Sequence, residues 1–302
     1  MIDVKRLILL RDLAEYGTVT AVAEINHVTP SAVSQQLRAL EAESGAELLI
    51  REGRSVRLTA AGIALAAECE HVLMALERAQ STVRALDDQI SGEFVIGSFP
   101  SALNRVVTPL VADLQSRHPL LRLRIVEAEP EESLPLLRRR ALDLALIYRY
   151  DQLGTPLPGG VTTHKLFDDP LALAVPERLR PVAERDGIAG VRESPWIATP
   201  EPGPGRQILL HTCRNAGFTP VIAHSYRDLH AALSLVSIGL GVTILPRMLC
   251  ANPPEGAAIL PLPGEGRVVE AAIRSGTDAH PRVAAALSAL AALPAVSAGA
   301  GT

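Results

Sequence analysis

Between Thr59 and about Asp88 the sequence reads as one long helix. Leu65, Cys69, Val72, Leu76, Ala79, Val83, Leu86 and Ile90 recur at alternating spacings of four and three. This is a heptad pattern sustained over more than three repeats. At 1.5 Å per residue such a helix would be ~45 Å long, more than a small domain can cover alone. The same residues would also suit an amphipathic helix lying on its own domain. Length favours a seam between two chains, with Leu65, Val72, Leu76, Val83 and Leu86 as its dimerisation residues. The helix also divides the chain. The part before it is short and helical, and the part after it has a different pattern.

Residues 1–58 read as three short helices and a hairpin. Leu7, Leu10, Leu13 and Ala14 form an apolar stripe at helical spacing, and Gly17 ends it. Thr18 or Thr20 can cap a second helix through Ala21, Val22, Ala23 and Ile25. After a break at Asn26-His27-Val28, Thr29 is a good N-cap and Pro30 a good first helical residue. Val33, Leu37 and Leu40 point inward until Gly45. Two helices joined by a short break make a helix-turn-helix pattern. Leu48-Leu49-Ile50 and Val56/Leu58 flank a turn at Glu52-Gly53-Arg54.

From Gly92 onward the pattern alternates strands with helices, which means βα units and parallel sheet. Strands are expected at 93–98, 121–127, 142–147, 171–175, 195–198, 221–225, 241–245 and 268–273. Helices are expected at 101–117 and near 131–140, 204–216, 228–239 and 279–292.

Composition weakly opposes a nucleic-acid partner. The net charge is −4, and residues 1–60 hold seven basic and eight acidic side chains. A DNA-binding domain usually carries a basic footprint, so any positive charge here must be concentrated on one face. The N-terminus is not a signal peptide, and no stretch approaches the ~18 apolar residues of a membrane span; a cytoplasmic protein is expected. Three separated cysteines without a CxxC pair suggest neither disulfides nor zinc. Cys213, with Cys250 its possible partner 37 residues away, is read as buried or incidental. Nucleophile elbows, HExxH, P-loops and a GxGxxG after a strand are all missing, so no catalytic residue, metal or cofactor is expected and the chain is not read as an enzyme. A solute-binding protein would leave residues 1–90 without a purpose.

Residues 18–62 resemble the DNA-binding domain of the LysR-type transcriptional regulators. The resemblance rests on Ala21/Ala23, Thr29-Pro30-Ser31, Ser34-Gln35-Gln36, Leu40-Glu41, Gly45, Arg51/Arg54/Arg57 and Leu58-Thr59-Ala60-Ala61-Gly62, in that order and spacing. Leu49-Ile50 departs from the usual Leu-Phe, and Val22-Ala23 from Ala-Ala. Residues 92–302 resemble, more loosely, the same family's effector domain, through 92–119, 141–147 and 232–246.

The resemblance implies a multidomain α+β protein. A winged helix-turn-helix (1–58) is followed by a linker helix (59–90) and a two-lobed α/β domain (91–302) like a periplasmic binding protein. Lobe I takes about 92–162 plus 267–302, and lobe II about 163–266. The expected activity is sequence-specific binding to promoter DNA, modulated by a small molecule between the lobes. The implied partners are double-stranded DNA, a small-molecule effector, RNA polymerase, and one or three further copies of the chain in a homodimer or homotetramer.

Residues at the start of a recognition helix meet base edges in the major groove. Thr29, Pro30, Ser31, Ser34 and Gln35 occupy that place, with Arg38 one turn on for phosphate and Arg51 and Arg54 on the wing for backbone or minor-groove contact. Ligands of open α/β sheets bind beyond the carboxyl ends of strands. That rule selects Ser98, Phe99, Pro100 and Ser101, Tyr148 and Arg149, and Thr199 and Pro200 as effector contacts. Their hydroxyls and nearby N–H groups favour a carboxylate, whereas Glu201 would oppose an anion.

Overall fold

The computed structural model describes residues 1–52, 55–86 and 89–293, and only the backbone of Arg51, Glu52, Ser55 and Leu229. The expected turn residues Gly53 and Arg54 lie outside the described residues. The chain forms two compact units, residues 1–86 with 275–280, and residues 87–274 with 281–302.

The first unit begins with α1 (Val4–Tyr16), α2 (Val19–Ile25) and α3 (Pro30–Ser44). Its caps are those the sequence offers. Asp3, Thr18 and Thr29 each accept a backbone N–H of the first turn, and Gly17 and Gly45 end α1 and α3 in the left-handed conformation. Leu10, Leu13, Val22, Val33, Leu37, Leu40 and Leu48 meet in one core. Strands β1 (Leu49–Glu52) and β2 (Ser55–Leu58) pair antiparallel, Leu49 opposite Leu58, as the wing.

The spacing Leu58-Thr59-x-x-Gly62 has a mechanical meaning. Thr59 caps α4 (Ala60–Arg84) by accepting the Gly62 N–H (3.0 Å) and donating to the Glu47 carbonyl (2.7 Å). At Gly62 a Cβ would sit 2.2 Å from the Leu48 carbonyl oxygen. Only glycine lets the helix cross the wing so closely.

The heptad pattern divides in two. Leu65 and Cys69 are turned to their own domain, Leu65 against its core and Cys69 fully buried. Val72, Leu76 and Val83 are exposed. The helix ends at Arg84, sooner than the spacing predicts, so Leu86 lies beyond it and Ile90 packs in the second unit. Two acidic residues, Asp87 and Asp88, come after that end.

The second unit is built on a six-stranded sheet, in the order β4-β3-β5-β10-β6-β9. The strands are β3 (Gly92–Ser98), β4 (Leu121–Glu127), β5 (Leu144–Arg149), β6 (Val161–Pro176), β9 (Thr243–Pro246) and β10 (Ala257–Arg274). Strands β3, β4 and β5 run parallel. The last strand, β10, runs antiparallel between β5 and β6. A short parallel pair, β7 (Trp196–Ala198) and β8 (Ile222–Ser225), continues the second lobe through a bridge from Trp196 to Val242. Helices α5 (Thr108–Arg117), α6 (Pro130–Arg138), α7 (Arg180–Asp186), α8 (Pro204–Asn215), α9 (Leu229–Ser237) and α10 (Pro281–Ala292) complete the unit.

Three features differ from the sequence reading. The expected helix 101–117 is a 3-10 turn (Pro100–Ala102), a π turn (Leu103–Val107) and then α5. Pro109 has no N–H to give, and the turn before it widens. Helix α7, the first half of β6 and residues 257–267 of β10 are additions to the expected elements. The two long strands, β6 and β10, each run through both lobes, and their pairing shifts between Pro261 and Gly266, opposite Pro170. The shift falls near Pro170 on β6. Residues 163–168 pair with the stretch of β10 whose other edge pairs with β5.

Candidate functional sites

On α3 the residues expected to read DNA share one face. Ser31, Gln35 and Arg38 are exposed and Ser34 half-buried, on the side opposite Val33, Leu37 and Leu40. Thr29 and Pro30 are exposed at the helix start. Thr29 Oγ1 lies 2.9 Å from Ser31 Oγ, and the Ser34 hydroxyl donates to the Pro30 carbonyl (2.9 Å). These bonds hold the hydroxyls in fixed directions and leave them lone pairs to use. The side chain of Arg51 is not described and Arg54 lies outside the described residues.

The acidic residues of this unit are largely used up inside it. Glu41 accepts the backbone N–H groups of Leu48 (2.9 Å) and Leu49 (3.1 Å), tying α3 to the wing. Glu43 pairs with Arg6, whose Nε also donates to Gln36 (2.8 Å). Asp12 accepts from Arg11 (2.7 Å) and from Asn26 (2.9 Å). An acidic balance is therefore compatible with an exposed face that carries Ser31, Gln35 and Arg38.

In the second unit, Phe99, Ser101 and Tyr148 converge where the two lobes join. What they converge on is Arg267, a residue the sequence reading did not select. Arg267 and Asp169 are each 3% exposed and stand opposite one another on β10 and β6. Arg267 Nε donates to Asp169 Oδ2 (3.0 Å), and Nη2 donates to Ser101 Oγ (2.8 Å) and approaches Met248 Sδ (3.1 Å). The guanidinium lies 5.0 Å from the Phe99 ring centroid and 4.5 Å from that of Tyr148. Asp169 Oδ1 accepts the Met248 N–H (3.0 Å). One ion pair thus links both long strands, the loop after β3, the end of β5 and the turn after β9.

Around this pair, Ser98 is buried with its hydroxyl donating to the Phe99 carbonyl (3.1 Å), and Pro100 is exposed. The Tyr148 hydroxyl donates to Glu129 Oε2 (3.0 Å). Burial pushes the Glu129 carboxyl above the usual carboxylate range, an effect the Tyr148 hydroxyl partly offsets. Burial likewise pushes the Tyr148 phenol up.

Tyr148 and Arg149 are consecutive in a strand and point to opposite sides. Arg149 leaves the cluster and pairs with Glu270 through Nε (2.5 Å) and Nη2 (3.1 Å). Thr199 and Pro200 are half-buried in the loop before α8, and Thr199 Oγ1 is a buried oxygen without a hydrogen-bond partner. Helix α8 starts from Gly203 with no side-chain cap. Glu201 forms an ion pair with Arg206 (2.8 Å).

All three cysteines are buried and free. Burial pushes the Cys213 thiol up to about 12 and the Cys250 thiol up to about 11. Among the described residues no group of three or more His, Cys, Asp or Glu is placed to hold a metal ion, and no helix is long and apolar enough to cross a membrane.

Two family profiles match this chain. Residues 4–63 match the bacterial regulatory helix-turn-helix protein of the lysR family, and residues 87–294 the LysR substrate binding domain. The chain belongs to the LysR family of bacterial regulators. It is 27% identical to the HTH-type transcriptional regulator IlvY of Escherichia coli K12 over 258 residues, 84% of each protein. It is 30% identical to the probable hydrogen peroxide-inducible genes activator of Mycobacterium avium, over 88% of this chain and 86% of that one. The crystal structure of full-length CbnR complexed with its target DNA covers 96% of this chain and all of that one, with a TM-score of 0.54 at 21% identity.

As a LysR-family member the chain is a DNA-binding transcriptional regulator with an effector-binding domain, not an enzyme. The two profiles fall on the winged-helix unit and on the two-lobed unit. The sequence could point to Ser101 and Tyr148, which come after strands. It could not point to Arg267, because that residue's meaning depends on Asp169, 98 positions away.

Proposed function

We propose that this LysR-family regulator reads its operator with Thr29, Pro30, Ser31, Ser34 and Gln35, and holds phosphate with Arg38, Arg51 and Arg54. The observation that carries this reading is the shared exposed face of Ser31, Gln35 and Arg38 at the start of a capped helix. Gln35 can bond adenine in a bidentate manner, and Arg38 suits the backbone. Promoter DNA places this work in the cytoplasm, with RNA polymerase as a further partner. The exposed Val72, Leu76 and Val83 suit a seam with a second copy, in a homodimer or a homotetramer.

The effector is a small, carboxylate-bearing molecule held between the lobes by Ser98, Phe99, Ser101, Tyr148 and Thr199, with Pro100 and Pro200 at the rim. The uncapped start of α8 and the unpartnered Thr199 hydroxyl are donors without an acceptor, which is what a carboxylate supplies. The Glu201–Arg206 pair offsets the repulsion expected from Glu201. Arg149, engaged by Glu270, takes no part in holding it. Peroxide chemistry at Cys213 is disfavoured, because a buried thiol with a raised pKa holds its proton.

Selection from random duplexes with the full-length protein tests the DNA reading. A single recovered motif, from which Gln35→Ala loses about 1–3 kcal/mol of discrimination, supports it. Recovery of no motif, or an unchanged preference in Gln35→Ala, contradicts it. For the cleft, thermal shifts with a panel of small carboxylates should be lost in Thr199→Val. A ligand whose shift survives that change is bound elsewhere.

A further inference from the structure

Glu129 lies two residues beyond the end of β4 and immediately before α6. Strands β4, β3 and β5 are parallel neighbours, so their carboxyl ends share one edge of the sheet. The Ala128 N–H donates to the Ser98 carbonyl (3.0 Å) and sets Glu129 beside the loop after β3. The strand-end rule that selected Ser98 and Tyr148 therefore holds for Glu129 as well. Its side chain does not cap α6. The carboxylate turns to the Tyr148 hydroxyl (3.0 Å), its only hydrogen-bond partner among the described residues.

Charge limits what this carboxylate can take. Its titratable and charged neighbours are Tyr148 on β5, Arg267 on β10, and Glu131 and Glu132 on α6. Arg267 is the cation of that set, and it is already engaged. Asp169 accepts from its Nε (3.0 Å), Ser101 accepts from its Nη2 (2.8 Å), and its side chain is 2% exposed. Two carboxylates, Asp169 and Glu129, thus stand against one guanidinium, and Glu131 and Glu132 add to the negative surplus. Glu129 is half-buried, so solvent screens its charge incompletely. Its raised pKa has the same origin: burial disfavours the charged form, which a cation alongside would relieve.

We infer that Glu129 is a specificity residue that pairs with an ammonium group, so that the carboxylate-bearing effector between the lobes is an amino acid. This rests on the effector reading given above and names the class of molecule within it. The two lobes offer opposite chemistry. Thr199 and the start of α8 are donors without an acceptor, whereas Glu129 is an acceptor without a cation. A zwitterion satisfies both. A simple carboxylate leaves the Glu129 charge unmatched, and a hydroxyl in place of the ammonium supplies a hydrogen bond but no charge.

The test is isothermal titration calorimetry of the full-length protein with matched ligands. These are the common L-amino acids and, for each, the analogues with hydrogen or hydroxyl in place of the amino group. At least one amino acid should bind about tenfold or more tighter than both its analogues, the worth of a hydrogen bond to a charged group. Glu129→Gln should reduce that preference to about twofold, the scatter of independent sites. Thr199→Val should weaken all three ligands alike. An analogue that binds as tightly as its amino acid would overturn the inference. So would a preference that survives Glu129→Gln, and so would a lack of binding by every amino acid. If thermal melting shows Glu129→Gln to be unfolded, the comparison in the wild-type protein decides alone. Failure of the effector reading shows separately, as binding that ignores Thr199→Val.

Discussion

Single residues explain how an acidic chain presents a face to DNA. Glu41 is the clearest case, because it spends one carboxylate oxygen on two backbone donors of the wing. Glu41→Ala should cost about 1–3 kcal/mol in urea unfolding, by leaving those donors without their partner. A loss close to zero would mean that water replaces the carboxylate freely. Glu129 makes a prediction with a sign. Its pKa is raised in the folded state, so its contribution to stability is full below the ordinary glutamate value of about 4 and is lost as pH rises through the folded value. Glu129→Gln should therefore melt above wild type at about pH 8 and together with it at about pH 3. A gap that does not change with pH would contradict the assigned cause. Cys213 and Cys250, with pKa values of about 12 and about 11, should resist iodoacetamide in the folded protein and react once it unfolds. Rapid labelling of the native chain would refute their burial.

Among the elements, α4 separates what spacing can tell from what it cannot. The 3.5-residue period picks out Val72, Leu76 and Val83, which the fold leaves exposed. It equally picks out Leu65 and Cys69, which the first unit takes for its own core. Periodicity records that a face is apolar and is silent on what covers it. Leu76→Asp should yield a monomer in sedimentation velocity, since a charge in a two-chain seam has no partner. A dimer that persists would place the seam elsewhere. The π turn at Leu103–Val107 was hidden for a related reason: Val106, Val107, Leu110 and Leu114 keep a helical stripe across it. The first half of β6 was hidden because Thr162, Thr163, His164 and Lys165 offer little alternation of polar and apolar residues, although they pair along β10.

For the whole molecule, the division into a winged helix and a two-lobed α/β domain was legible. It depends on local signals: caps at Thr29 and Thr59, glycines at 45 and 62, and alternating strands and helices after 92. The exposed polar start of α3 was legible too, since a capped helix start is a local feature. The centre of the cleft was not. Arg267 and Asp169 become partners only when two long strands align. Their side chains are each 2% exposed, so removing one partner should be far worse than removing both. Arg267→Met alone should cost about 3–5 kcal/mol, and adding Asp169→Leu should restore much of that loss. A double variant weaker than either single variant would show that the pair does more than neutralise itself.

The central claim is that this chain binds particular DNA in preference to the rest. Fluorescence anisotropy of the full-length protein on the intergenic DNA upstream of its own gene, with excess unrelated duplex at ~150 mM salt, tests that claim most directly. The account predicts tight binding that survives the competitor. Binding abolished by the competitor, on this DNA and on any duplex recovered by selection, would contradict it.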